Sequence, residues 1–536
     1  MEESDAFVLP VSILRLDLRT AASYPSGAVS TPQRPNILLI TSDQQHYDTM
    51  GATNPRIRTP ALDRLCREGT RFDRAYCPNP TCTPTRATII TGMYPSQHGA
   101  WSLGTKLFED VQTVGDLLGR VGYQTSLVGK AHFHPLASEP GMESIECQPT
   151  LRNLDFWRRF HGPWYGFQHV ETARMHTCES HSGGHYAIWM EEQGLADWRD
   201  YFEDYPANPE KKRRIQATRT WALPERFHYT RWTGERTIAQ IERASREGKP
   251  FFCWASFHDP HPDYLVPEPW ASMYNPADMT PGTLSPDEHS RNPPHFALTQ
   301  EAKPDFSKAF PDDRWIHGAH SHSREPDHLR KDIACYYGMI SFLDQEIGRI
   351  LARLDEMGIA ENTLVVFSTD HGHFLGQHGL TAKAIHHYED LLRVPFLVRW
   401  PGQVPAGTVR SALQNLVDLT PTFLAAAGIA VPGSMTGVNQ LPAWREGRPV
   451  RRYSITENHH GTSTCHMRSF VTDRYKITVY RAMNHGELFD LREDPGERNN
   501  LWHEPAAAAL KSEMLLRFMQ ATLETEPMRM PRIAGA

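Results

Sequence analysis

At 536 residues the chain is too long for one compact core, so a large domain with a smaller companion is the expected layout. Its 39% hydrophobic and 22% charged residues suit an ordinary globular protein, and a formal charge of −7 gives no general attraction to nucleic acid or an anionic membrane. Any anion it binds must be held by a local cluster of positive groups.

Residues 1–33 read as an N-terminal extension, either a tail or an arm that clasps another subunit, which leaves a homo-oligomer open. Its apolar stretch follows acids and is interrupted by Arg15, Asp17 and Arg19, unlike a secretory leader. No apolar run reaches the roughly 18 residues of a membrane-spanning helix. A cytoplasmic location is therefore expected. The cysteines at 66, 77, 82, 147, 178, 253, 335 and 465 show no CxxC or zinc spacing, and most read as reduced and structural.

The run Asn36–Thr41 is a short apolar stretch of the kind buried on both faces of a sheet. Thr113 caps a short helix carrying Val114, Leu117, Leu118 and Val121, and a strand follows over 125–129. A third buried strand is expected over 250–257. Residues 262–330, rich in Pro, His and Asp, read as a long insertion. A helix over 332–357 places Ile333, Tyr336, Ile340, Leu343, Ile347, Ile350 and Leu354 on one face and stops at Gly358. Strands over 363–369 and 395–400 follow, then a helix from Thr420-Pro421 to Ala427. Strands alternating with helices specify an α/β domain with a large, mainly parallel sheet over 34–440. Beyond it, Phe470–Val471, Tyr475–Tyr480 and Glu487–Leu491 read as antiparallel strands, and 506–522 as a closing helix. These define a smaller antiparallel α+β subdomain over 441–536.

Chemistry-bearing residues stand where the buried strands end. Asn36–Thr41 leads to Asp43 and Gln44, Thr125–Val128 to Lys130 and His132, Pro250–Phe257 to His258, Asp259 and His261, and Thr363–Thr369 to Asp370 and His371. Open α/β sheets bind ligands outside the carboxyl ends of their strands, so these residues can converge. Asp43, Gln44, Asp370 and His371 offer two carboxylates, an amide oxygen and an imidazole; the oxygens favour Ca²⁺ or Mg²⁺ and the imidazole tilts the set toward Mn²⁺. Arg86, Lys130, His132, His261 and Lys383 would make a cationic, hydrogen-bonding pocket for a tetrahedral oxyanion. His134, His258, His373, His386 and His387 read as structural. Aromatic residues of the loops, among them Trp157, Trp164, Tyr165, Trp189, Trp232, Tyr264 and Trp270, would suit an aryl or sugar group or ordinary packing equally.

The segment Cys82-Thr83-Pro84-Thr85-Arg86, with Thr91-Gly92 and Tyr94-Pro95 after it, resembles the signature of the sulfatase family. RPNILLITSDQ, GKAH (129–132), DPHP (259–262), STDHG (368–372) and ELFDLREDPGERNNL (487–501) appear in that family's order, so the resemblance spans about 34–503. It implies an alkaline-phosphatase-like fold and an enzyme that hydrolyses sulfate monoesters. A maturation enzyme would oxidise Cys82 to formylglycine, whose hydrate attacks sulfur to give a sulfated enzyme before sulfate is expelled. The resemblance assigns one Ca²⁺ or Mn²⁺ to Asp43, Gln44, Asp370 and His371. It places Arg86 as a brace for the formylglycine and Lys130 and His132 on the sulfate, with His132 a candidate base for release. His261 and Lys383 fall on the ester oxygen. Gln44 and His371 depart from the commonest ligand pattern and resemble choline sulfatases and phosphonate monoester hydrolases. Phosphonate monoesters or phosphodiesters are therefore the alternative substrates, and an inactive binding protein with unmodified Cys82 is the alternative of another class.

Overall fold

The computed structural model describes residues 34–202, 220–311, 320–321, 326–383, 385–460 and 465–527, so the extension at 1–33 and parts of the 262–330 insertion lie outside the described residues. The apolar run at Asn36 forms β1 (Asn36–Ser42), buried along its whole length. It lies inside an eight-stranded sheet with β2 (Thr70–Phe72), β3 (Gln124–Gly129), β4 (His169–Thr172), β5 (Phe251–Ser256), β6 (Thr363–Thr369), β7 (Leu397–Arg399) and β8 (Thr408–Arg410). The spatial order is β8-β2-β7-β6-β1-β5-β3-β4. The five strands from β6 to β4 run parallel, while β7 is antiparallel to both β6 and β2. The expected fold class, a large mixed and mainly parallel sheet, is the one observed.

Helices cover both faces because alternate residues of each central strand are apolar in both directions. On one face Ile37, Leu39, Phe252, Trp254, Leu364 and Val366 meet α2 (Cys82–Thr91), α3 (Val114–Arg120) and α6 (Leu419–Ala426). On the other, Leu38, Ile40, Cys253, Ala255, Val365 and Phe367 meet α1 (Pro60–Glu68), α4 (Tyr229–Arg246) and α5 (Pro326–Glu356). The long helix α5 begins before the expected start at 332. Among the described residues no helix is long and apolar enough to cross a membrane.

The C-terminal sheet is antiparallel, in the order β9 (Ser454–His459), β10 (His466–Val471), β11 (Tyr475–Tyr480), β12 (Gly486–Asp490). The closing helix α7 (Ala508–Glu524) sets Met514, Phe518 and Ala521 against Phe470, Ile477 and Leu488, where Tyr94 and Val417 of the larger part join the same core. The described residues from Arg34 onward form one compact unit. On β9, Glu457 donates its backbone N–H to Pro78 O at 2.8 Å and accepts at its carbonyl from Asn79 Nδ2 at 2.7 Å, which fixes the approach to Cys82.

One glycine controls how β3 delivers its polar residues. Gly129 has φ of 105°, and a Cβ there would lie 1.9 Å from Ser256 O. Lys130 N then donates to that same carbonyl at 2.8 Å. Gly129→Ala must strain φ and push two strand ends apart. It should lower the unfolding free energy by about 2–4 kcal/mol in a urea titration. A variant as stable as the wild type would contradict this geometry.

Candidate functional site

Five neighbouring parallel strands end on one side of the sheet, and each end carries polar side chains. Beyond them lies the start of α2, whose ten residues are all buried. Asn79 organises that start: its Oδ1 accepts from Thr81 N at 2.8 Å and Thr81 Oγ1 at 2.6 Å, and its carbonyl accepts from Thr85 Oγ1 at 2.6 Å. Pro84 falls in the first turn, where a missing N–H costs nothing. Cys82, 1% exposed, therefore enters the cluster from the first turn of a helix.

Its thiol lies 3.6 Å from Asp43 Oδ1 and 3.3 Å from His371 Nε2, and Lys383 Nζ donates to it at 3.1 Å. Burial and Asp43 push the thiol's pKa up, but Lys130 and Lys383 outweigh them and bring it down to about 6. Arg86, wholly buried, reaches Asp370 Oδ2 with Nε at 2.9 Å and Asp43 Oδ2 with Nη2 at 3.3 Å. Its Nη1 also donates to Lys130 O at 3.0 Å and Ser256 Oγ at 2.7 Å. Lys130 Nζ contacts Asp43 as well. Burial favours the neutral acid at Asp43, yet Lys130 and the surrounding cations hold it well below the usual carboxylate range. Asp370 is lowered too: burial and Asp43 oppose ionisation, and Arg86 leads the groups that overcome them.

The donor set fits a divalent cation. Ligand atoms of Asp43, Cys82, Asp370 and His371 lie within 4.8 Å of one another. His371 Nδ1 donates to Gly372 O at 3.0 Å, which leaves Nε2 as the lone-pair nitrogen facing the cluster. Gln44 Nε2 donates to His373 Nδ1 at 2.9 Å, and His373 Nε2 meets Tyr264 OH at 2.9 Å. With its amide held that way, Gln44 Oε1 is a buried acceptor with no hydrogen-bond partner among the described residues. An unpartnered carbonyl oxygen beside two ionised carboxylates is the arrangement a hard cation completes.

All ten residues singled out from sequence meet here, and His373, read as structural, turns out to orient Gln44. His258 is structural in a specific way, its Nε2 donating to Ala173 O at 3.0 Å. His261 Nδ1 contacts Pro262 O, and its Nε2 lies 3.3 Å from Lys383 Nζ. Two residues escaped the sequence reading. Arg174 Nη2 donates to His132 Nε2 at 2.8 Å, and Lys130 Nζ donates to His176 Nε2 at 2.6 Å, with His176 stacked on His261 at 3.7 Å between ring centroids. Both follow β4, whose sequence His-Val-Glu-Thr has too few apolar residues to read as a strand. The available signal was the alternation of Ala173 and Met175 with Arg174 and His176. Of the loop aromatics, Trp157, Trp164, Tyr165, Trp189 and Trp232 are buried in the cores, Trp270 stacks on Phe342 at 5.1 Å, and Tyr264 is buried with its hydroxyl on His373.

A family model described as Sulfatase matches residues 35–429, and one described as N-sulphoglucosamine sulphohydrolase, C-terminal, matches 376–524. An arylsulfatase of Clostridium perfringens is 29% identical over 476 residues, covering 87% of this chain and 90% of that protein. The multifunctional alkaline phosphatase superfamily protein PehA of Trinickia caryophylli is 28% identical over 512 residues, covering 89% and 93%. The phosphonate monoester hydrolase SpPMH from Silicibacter pomeroyi shares the fold with a TM-score of 0.75 at 23% identity, over 92% of this chain and 96% of that one.

Proposed function

Since the chain belongs to the sulfatase family and is a sulfuric ester hydrolase, we propose that it cleaves sulfate monoesters, aryl sulfates among them, at the cluster around Cys82. The observation that carries this reading is the meeting of Cys82, a cation-ready donor set and three cationic side chains at the ends of adjacent parallel strands. Cys82 oxidised to formylglycine would supply an aldehyde hydrate as nucleophile. Asp43, Gln44, Asp370 and His371 would hold one Ca²⁺ or Mn²⁺, which would acidify that nucleophile and polarise the sulfuryl oxygens.

The protein's own residues do the rest. Arg86 fixes Asp43 and Asp370 relative to position 82. Lys383 donates to the side chain at position 82 and Lys130 contacts Asp43, so two ammonium groups stand in the cluster that would hold a sulfate monoester's single charge, shared over three oxygens. His261 Nδ1 contacts the Pro262 carbonyl, so its Nε2 accepts from Lys383 Nζ and holds that ammonium, which can give a proton to the departing alcohol. Because a guanidinium only donates, His132 Nε2 must be the lone-pair nitrogen and its proton sits on Nδ1. Burial first, then Arg174 and Lys130, lower its pKa well below the ordinary value. His132 so held is a hydrogen-bond donor to sulfate, and acting as the base would require it to leave Arg174.

Phosphonate monoester hydrolysis with the same nucleophile is the second reading, motivated by Gln44 and His371, which resemble the ligand pattern of phosphonate monoester hydrolases. Comparing kcat/KM for an aryl sulfate and an aryl phosphonate decides between them. A higher value for the sulfate is expected; a strong preference for the phosphonate would overturn the first reading.

Saturating chelation should also lower the melting temperature. An ion present at about 100 times its Kd contributes about 2.7 kcal/mol to the folded state. An unchanged melting temperature would argue against an ion bound by Asp43 and Asp370.

A further inference from the structure

The edge strand β4 feeds the pocket through the segment after Thr172, and that segment is pinned. Ala173 N donates to Gly129 O at 3.2 Å, extending the β3–β4 pairing, and Ala173 O accepts from His258. Ala173, Met175 and Cys178 point into a buried aromatic cluster with Tyr186, Trp189 and Trp232. Arg174 and His176 occupy the alternate positions and reach the groups on which the proposed reaction depends. Both are nearly buried, at 5% and 6% exposure.

Each acts on a neighbour through a defined hydrogen bond. Arg174 donates to His132 Nε2, so the His132 proton is kept on Nδ1. His132 is held from behind as well, because Glu146 accepts from His132 N at 2.9 Å and from His134 N at 2.7 Å. His176 donates from Nδ1 to Glu179 Oε2 at 3.0 Å, which leaves Nε2 to accept from the Lys130 ammonium. Its ring lies nearly parallel to that of His261, 13° apart, and supports it from one face. The chain Glu179–His176–Lys130–Asp43 thus fixes where the ammonium stands, and the stacked pair fixes where His261 stands.

Resting on the reading of the site as a sulfate ester pocket, we propose that Arg174 and His176 are positioning residues: Arg174 presents His132 to the sulfuryl group as an Nδ1–H donor, and His176, braced by Glu179, aims Lys130 and His261 at the ester. Neither residue touches the reacting bond. Both set the geometry of groups that do, and partners one shell removed from the chemistry typically matter about 10- to 100-fold.

The test compares the wild-type protein with His176→Phe, His176→Gln, Arg174→Met, Arg174→Lys and Glu179→Gln. His176→Phe keeps a flat ring against His261 and loses both polar contacts; His176→Gln restores an acceptor for Lys130. Arg174→Met removes the donor to His132, and Arg174→Lys restores one. His176→Phe and Arg174→Met should lower kcat/KM for an aryl sulfate about 10- to 100-fold, in kcat and in affinity for the sulfate group alike, and the two restoring variants should recover most of the loss. Glu179→Gln, a change at a partly exposed side chain, should give a smaller loss in the same direction and keeps the test open if the other variants fold poorly. Wild-type activity in His176→Phe and Arg174→Met, or in Glu179→Gln where those two do not fold, would overturn the proposal. Calorimetric titration with inorganic sulfate separates this failure from that of the function. If the wild type turned over no sulfate ester yet bound sulfate more tightly than these variants, the positioning role would stand and the function would not. Equal sulfate binding, or none in any of them, would overturn the positioning role.

Discussion

Cys82→Ala should abolish sulfate ester turnover, lowering kcat by about 10⁴- to 10⁶-fold, the loss that follows removal of a covalent nucleophile. The size of the effect follows from how the site is built. Arg86, Lys130 and Lys383 are all oriented around position 82, and without a nucleophile they can bind an anion but cannot share its charge with a forming bond. The substitution removes only the reactive group beyond Cβ from a helix start otherwise held by Asn79, so thermal unfolding should stay close to that of the wild type. Residual activity near the wild-type level would remove position 82 from the chemistry.

Arg86→Ala should be the most damaging single substitution for the fold. Its guanidinium is wholly buried between Asp43 and Asp370 and makes four hydrogen bonds in all, to the two carboxylates, to Lys130 O and to Ser256 Oγ. Removing it leaves two buried carboxylates with one cation fewer, and breaking a buried pair in this way costs about 3–5 kcal/mol. Arg86→Lys is no remedy, because an ammonium cannot reproduce the fork that spans both acids. The pH dependence has a definite sign. In the wild type both acids are depressed, so their contribution is present above the ordinary carboxylate pKa and fades as pH falls through the folded values. In the variant the folded pKa values rise, and protonated carboxyls no longer need the guanidinium. The deficit relative to wild type, measured in metal-free protein by urea unfolding, should be largest near neutrality and shrink toward pH 4 on the reference carboxylate scale of about 3.9–4.3. A deficit that grew on acidification would contradict the assignment of Arg86 as the counter-ion of both acids.

The parts of the fold that were legible in sequence are those whose burial is written in apolar residues. β1 and β6 are continuous apolar runs because both faces are covered, and α5 is legible because Leu343, Ile347, Ile350 and Leu354 recur along the side it turns to the sheet, while residues 332–344 are buried all round. The candidate site followed from them, since a polar pair directly after such a run can only stand at a strand end. Less legible were elements whose buried face is polar. In α4 the core side is made by Thr230, Thr233, Gly234, Thr237 and Gln240 as well as Trp232 and Ile241, so its periodicity is weak. In β9, Glu457 is buried because its backbone holds the segment before Cys82 and its carboxylate accepts from Ser96 N and Oγ. β4 carries a buried Glu171, paired with Arg236 at 2.6 Å, where an apolar residue would have announced a strand. Arg174 and His176 were hidden for that reason: without β4 there is no fifth strand end on which to place them.

The most direct measurement is the mass of the peptide carrying position 82, taken from a preparation whose hydrolysis of an aryl sulfate has been recorded. The expected result is an aldehyde at that position, in a fraction that tracks specific activity across preparations. A fully active preparation in which residue 82 is entirely thiol would contradict the chemistry assigned to this cluster of strand ends.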